Sequence, residues 1–336
     1  MMRRAGRVLV LAALVLAASA CGVTRFTPRG QYVLTSNDVR TDREVSKRER
    51  ISADDVEKYI QQGPAKRFLG TNFNVWLYNS VQPDRKTWWA RNMHSAGTPP
   101  VELDTAVTRI SADYIGRYVR SRGYFDGSAS YRLDTARRKA RVTYTIKQGE
   151  PYRIGRIVYD FKDKALAPIV LPDTVNTLLK PGAPFDSGVL DAERTRIKDN
   201  LQLKGYYNFS VNNVRYLADS TVGGRKIDVT VLVNQYLTDY AEDGTPILEN
   251  NPLYRIGRIN IYPDYDPTRA VSDTSYMHHV DTLEYKGLNI VYGHKLRVKK
   301  EVLRELIGLH TNNVYSSQDV SRTYSNLMRL GYYRSA

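Results

Sequence analysis

The feature that most limits what this chain can fold into is a hexapeptide that occurs twice. Tyr-Arg-Ile-Gly-Arg-Ile fills 152–157 and returns unchanged at 254–259. A repeat of this kind means that one supersecondary unit is used more than once along the chain. Each copy opens a strand-like run, Ile154–Phe161 and Ile256–Tyr262. A second mark, glycine followed by two aromatics, stands at Gly123-Tyr124-Phe125, Gly205-Tyr206-Tyr207 and Gly331-Tyr332-Tyr333. Apolar residues ahead of each glycine fall at helical spacing: Leu103, Val107, Ile110 and Tyr114; Leu190, Ile197 and Leu201; Val320, Tyr324 and Leu327. Asp186 or Ser187 can cap the middle helix, and Ser316 with Asp319 the last. Each glycine is then expected to end its helix in the left-handed conformation.

After the first two glycines the period changes to alternation. Ser128–Leu133 precedes Val142, Tyr144 and Ile146, and Phe209–Leu217 precedes Ile227, Val229, Val231 and Val233. Polar turns at Thr135–Lys139 and Ser220–Lys226 join them, so both pairs predict hairpins with one buried face. The middle unit therefore reads as a strand over 153–161, a short helix near 173–180, a longer helix over 187–204, then two strands. This is a βααββ module of an α+β fold. The last unit starts likewise at 254, but Tyr254 to Gly331 spans 77 positions against 53 from Tyr152 to Gly205. The surplus holds Met277-His278-His279 and the strand-like Leu288–Tyr292, and a helix follows over Lys299–Ile307. Ala336 arrives where the closing hairpin is due, so this module reads as truncated and short of two strands.

The first unit is less regular. Gln31–Val39 predicts its opening strand and Ser52–Gln61 a helix, followed by an aromatic-rich insertion from Lys66 to Trp89 that holds all three tryptophans. Its simplest reading is an insertion packed over the helices. The expected organisation is a leader at 1–20, a linker at 21–29, modules at 30–149 and 151–236, a linker at 237–253 and a third module at 254–336.

Met1–Arg7 is basic, Val8–Ala17 is almost wholly apolar, and Ala18-Ser19-Ala20 leads into Cys21, the sole cysteine. The apolar run is too short to span a membrane and reads as a secretory leader. A lone cysteine behind small residues resembles a bacterial lipobox, although Ala18 stands where leucine is usual. Lipidation at Cys21 is the expectation, and no internal disulfide is possible.

The net charge of +15 comes from 50 Lys and Arg against 35 Asp and Glu, spread along the chain rather than massed in one arm. A solvated basic surface is the expected result, with no nucleic-acid partner. The histidines His94, His278, His279, His294 and His310 form no zinc motif, and Asp264-Tyr265-Asp266 lacks the glycine and distal glutamate of a calcium loop. No P-loop, nucleophile elbow or dinucleotide fingerprint occurs. The expectation is no enzyme, no cofactor and no metal site.

The βααββ repeat, its tyrosine-glycine strand starts and its Gly-aromatic helix ends resemble the POTRA (polypeptide-transport-associated) domains of BamA/TamA-type outer-membrane proteins. The lipobox cysteine, Lys66–Gly70, Trp76-Leu77-Tyr78-Asn79, Trp88-Trp89 and Tyr285-Lys286-Gly287 are similar to TamL, the lipoprotein branch of Bacteroidetes. In that family the array precedes a membrane β-barrel, whose strands 254–336 does not supply. The resemblance implies about three tandem POTRA-like modules, lipid-anchored at the outer membrane and facing the periplasm. It also implies that the second strand of each sheet lies at an open edge, where unfolded outer-membrane proteins or transport partners can add a strand. The edge residues are then Tyr131, Leu133, Val211, Val214 and Tyr216. The rival reading is a structural tether that docks a partner complex without handling clients.

Overall fold

The computed structural model describes residues 23–42, 45–65, 73–82, 87–273, 276, 280–293 and 295–331. Two compact units result: one runs to Arg153 and includes Pro184–Ser187, the other holds Ile154–Ala183 and everything from Gly188 on. Cys21, Lys66–Gly70, His278, His279 and His294 lie outside the described residues. Among those described, no helix is long and apolar enough to cross a membrane.

The first unit contains β1 (Val33–Arg40), α1 (Ala53–Glu57), α2 (Phe73–Tyr78), α3 (Trp88–Ala96), α4 (Thr105–Ser121), β2 (Ser128–Ala136) and β3 (Lys139–Lys147). Asp104 starts α4 by accepting from the amides of Ala106 and Val107. The sheet order is β1-β3-β2, with β3 central, parallel to β1 and antiparallel to β2. Ala140, Val142, Tyr144 and Ile146 alternate into the core, where they meet Leu34, Ile51, Val56, Ile115 and Val119. Each such side chain contributes about 1.5–3 kcal/mol by leaving water. The fully buried Gln148 is satisfied on both sides, accepting from the Ile51 amide (3.0 Å) and donating to the Glu49 carbonyl (2.6 Å).

The insertion departs from expectation. Val75 of α2 packs with Val23 and Val33, and Tyr78 stacks on His94 of α3 at 4.6 Å. Trp88 and Trp89 do not pack over the helices. They touch each other edge to face at 4.6 Å and remain 60% and 64% exposed.

The second unit begins with β4 (Arg153–Phe161), whose first residue lies in the first unit. Next come α5 (Ala167–Val170) between two 3-10 turns, α6 (Ser187–Leu203), β5 (Val214–Asp219) and β6 (Lys226–Val233). The order β4-β6-β5 repeats that of the first sheet. The short helix expected near 173–180 lies earlier, over 164–176, because Asp163 caps it through the Ala165 amide. The span 237–253, expected as a linker, carries the hairpin β7 (Tyr236–Tyr240) and β8 (Pro246–Glu249). Its root is pinned where buried Asp163 accepts from the amide and side chain of Asn251 at 2.7 and 2.9 Å.

The last part holds β9 (Ile259–Ile261), α7 (Pro267–Ser272), β10 (Asp281–Tyr285), β11 (Leu288–Tyr292), α8 (Lys300–Leu306) and α9 (Ser317–Arg329). Its second and third strands do not come after the helices, where the other two modules have them. The surplus residues themselves form a hairpin, β10–β11, turned at Lys286-Gly287 with φ of 46° and 77°. The sheet runs β10-β11-β9, again with the last strand in the centre and parallel to the first, while α7 lies between β9 and β10 and the two further helices α8 and α9 follow the strands. Leu288, Ile290, Leu303 and Ile307 form its core.

The glycine marks end helices as expected, with φ of +93° at Gly123, +103° at Gly205 and +64° at Gly331. Two of them do more. In the first unit the Tyr152 amide donates to the Gly123 carbonyl and the Phe185 amide donates to the Tyr152 carbonyl, both at 2.8 Å. In the second, Tyr254 donates to Gly205 (2.8 Å) and accepts from Tyr315 (3.0 Å). The second aromatic after each of these two glycines packs on the same partners: Phe125 on Tyr152 and Phe185, Tyr207 on Tyr254 and Tyr315. Both copies of the hexapeptide thus seat on a glycine corner; the first opens β4, whereas the second reaches strand only at Ile259, so the run expected over Ile256–Tyr262 shortens to β9.

Candidate functional site

The candidate residues lie along sheet edges, so the site is defined by what each edge leaves open. The first strand of each sheet is covered at its start. Leu34 donates to Val101 and Leu103 to Tyr32 beside β1, and Ile154 and Gly182 exchange bonds with Ala183 and Ile154 beside β4. The opposite edges, β2 and β5, carry no such backbone cover among the described residues.

Register decides which groups face outward. The β2–β3 turn is Arg137-Arg138, with φ of 49° and 62°, so Ala136 and Lys139 form a hydrogen-bonded pair. Alternation from there turns the amides and carbonyls of Ala129, Tyr131, Leu133 and Thr135 away from β3. Along β5, the Asn234 amide donates to Asn213 at 2.7 Å, which makes Val214–Val233 a non-bonded pair. Val214, Tyr216 and Ala218 therefore direct their backbone groups away from β6.

Four of the five expected edge residues thus stand on open edges with outward backbones. Their side chains point the other way. Tyr131 and Leu133 pack against the first core, Val214 is buried, and the Tyr216 hydroxyl donates to the Leu190 carbonyl at 2.8 Å. Burial pushes the Tyr216 hydroxyl well above the ordinary tyrosine value. An added strand would meet their main chain, flanked by exposed Ser130, Arg132, Asp134, Arg215 and Leu217.

Val211 is the exception. It lies in a 3-10 turn, Val211–Asn213, started by a capping box between Ser210 and Asn213, and its carbonyl accepts from Arg194 at 3.0 and 2.8 Å. Phe209–Leu217 is not one strand, because Ser210 satisfies backbone that a ladder would need.

Since the Tyr216 ring faces inward, Tyr216→Phe is expected to lower stability by about 1 kcal/mol, the value of one hydrogen bond. Chemical denaturation checks this.

Other singled-out groups have structural employment. His94 stacks on Tyr78, and Asp266 caps α7 through the amides of Thr268 and Arg269.

Residues 152–235 match the family model "POTRA: Surface antigen variable number repeat". No curated protein matches the sequence. Similar solved structures include Haemophilus influenzae BamA POTRA3-5, at 14% identity over 92% of this chain and 91% of that one, with a TM-score of 0.41. The N-terminal domain of Omp85 from Thermosynechococcus elongatus aligns at 10% identity over 90% and 88%, with a TM-score of 0.26. Haemophilus ducreyi BamA lacking POTRA domains 1-3 aligns at 12% over 42% and 25%, with a TM-score of 0.27. Overlays this loose carry no argument, so the assignment rests on the family match and on the strand order that recurs in the three-stranded sheets of the described residues. The chain is an α+β protein of tandem POTRA-like modules, and the family match covers the middle one.

Proposed function

We propose that this chain is the periplasmic POTRA-repeat region of an outer-membrane protein assembly or translocation factor that holds client or partner polypeptides by β-strand addition. The outward-facing backbone of β2 and β5, opposite edges whose starts are covered, carries this reading. Main-chain hydrogen bonds tolerate many sequences, which suits a module that receives diverse unfolded barrels. The basic flank of Arg132, Arg137, Arg138 and Lys139 beside β2 favours acidic client segments. The chain acts by binding and not by catalysis. The lipobox-like Cys21 supports a lipid-anchored location at the outer membrane with the modules facing the periplasm, as the resemblance to the TamL branch implies.

Proline at Ala218 tests this reading. Its amide points away from β6 and the residue is exposed, so Ala218→Pro removes an outward donor without disturbing the ladder or the core. Photocrosslinking of an unfolded outer-membrane protein beside β5 is expected to fall about fivefold, the effect of one lost hydrogen bond. Unchanged crosslinking would reject strand addition at this edge. Adducts to a single stoichiometric partner and never to clients would point to the tether.

A further inference from the structure

Val75 of the insertion joins a small core, but its tryptophans Trp88 and Trp89 do not. Trp88 and Trp89 open α3 with their rings in solvent, and Arg91 and Asn92 on the next turn are exposed as well. Two large rings held out in water are a standing cost unless something covers them. The surrounding sequence says what that is. Residues 63–101 contain five Lys and Arg (Lys66, Arg67, Arg85, Lys86 and Arg91) against one acid, Asp84. Tryptophan with flanking basic residues is the composition that settles at a bilayer's headgroup level, where the ring is half apolar and the cations meet anionic lipid. A second copy offering the same face would set basic residues against basic residues.

The insertion is also tied to the chain's start. Val23 is buried against Val75 and Val33, and the Asn79 side chain donates to the Val23 carbonyl at 2.8 Å. Two residues of chain reach about 7 Å at most, so an acyl group on Cys21 would begin close to α2.

We propose that the α2–α3 insertion is a membrane-interface foot, in which Trp88, Trp89 and Arg91 dock on an anionic bilayer surface. Only the identity of the membrane rests on the lipid-anchor reading. A flexible acyl tether fixes no orientation, whereas a tether plus a foot holds the first module at a set angle to the lipid.

The test uses the full chain carrying Cys21→Ser, which has no thiol to acylate. It is titrated with phosphatidylcholine vesicles with and without phosphatidylglycerol, and tryptophan emission and co-flotation are followed. Binding is expected with the anionic vesicles, with a blue shift, weakening as salt rises. Trp88→Ser with Trp89→Ser is expected to weaken it at least about tenfold. Arg91→Glu keeps both rings and should erase the preference for anionic lipid, which guards against a misfolded double variant. Absence of any shift, equal binding by the serine variant, or a shift that follows protein concentration without vesicles each overturns the proposal. Failure of acylation in cells would instead show as wild-type protein without lipid mass on Cys21, and leaves these vesicle results standing.

Discussion

Alanine at Gly123 is expected to destabilise the first unit by about 3 kcal/mol or more, and the same change at Gly205 should cost the second unit less. Both glycines have strongly positive φ, where an L residue is strained by about 1–2 kcal/mol. What differs is the neighbour. A Cβ at Gly123 would stand 2.8 Å from the Phe185 carbonyl oxygen and 3.0 Å from its nitrogen. That backbone is fixed by the Phe185–Tyr152 hydrogen bond, so relief requires breaking the strand seat. At Gly205 the closest atoms are the Leu253 Cδ1 and Val314 Cγ1, both at 2.6 Å, and side-chain ends can rotate aside. Hydrogen exchange at the Tyr152 and Tyr254 amides reports each seat directly, since these amides donate to the two glycine carbonyls. Equal losses at both sites would mean that backbone strain alone matters and that the contact with Phe185 is slack.

The same corners show how far the sequence could be read. The helix stops were legible because left-handed backbone after an amphipathic run asks for glycine. Their second use was not, because a hydrogen bond from Tyr152 to Gly123 joins residues that no local period relates. The glycine inside the hexapeptide is a similar case. A Cβ at Gly155 would collide with the Asp228 carboxylate, which binds the Arg156 amide at 2.8 Å, while Gly257 has open space. Identical residues therefore carry different loads. The β7–β8 hairpin escaped notice because neither face is buried, so alternation carried no apolar signal; Asp243-Gly244, with Gly244 at φ +81°, was its only mark. In the third sheet Leu288–Tyr292 was legible as a strand, but its partner Asp281–Tyr285 is mostly exposed and reads as polar loop. Of the candidate edge residues, Val211 misled for a local reason. Phe209 and Val211 are two apart, as are Val214 and Tyr216, so two apolar pairs read as one run although the phase breaks between them at the Ser210–Asn213 capping box.

Replacing Glu193 with alanine should strongly destabilise the second unit. Its carboxylate is fully buried on α6 and serves several donors at once. The Leu178 amide and the Thr177 hydroxyl each donate at 2.9 Å, and the Arg196 guanidinium binds both oxygens at 2.9 Å. Arg196 also pairs with Asp173, so the group staples the 3-10 turn at Pro172–Asn176 and the segment after it to the helix. Removing one partner of a buried pair costs about 3–5 kcal/mol, because the remaining donors lose both their partner and access to water. Arg196 keeps Asp173 and some solvent contact, which places the expected loss near the lower end, about 3 kcal/mol. Exchange protection of the Leu178 amide should vanish with it. The pH dependence follows from the same contacts. Burial alone would raise the Glu193 carboxyl, but the bonds from Arg196, Leu178 and Thr177 outweigh it and hold the group below its ordinary value. A carboxylate depressed in the folded state contributes stability that is fully present above its unfolded value of 4.5 and is lost as pH falls through the folded one. Wild-type protein should therefore lose stability progressively below about pH 4.5, whereas Glu193→Gln, weaker at neutral pH, should show a shallower acid limb. An unchanged acid limb in Glu193→Gln would assign the pH response to other carboxylates and deny this one its role as the staple.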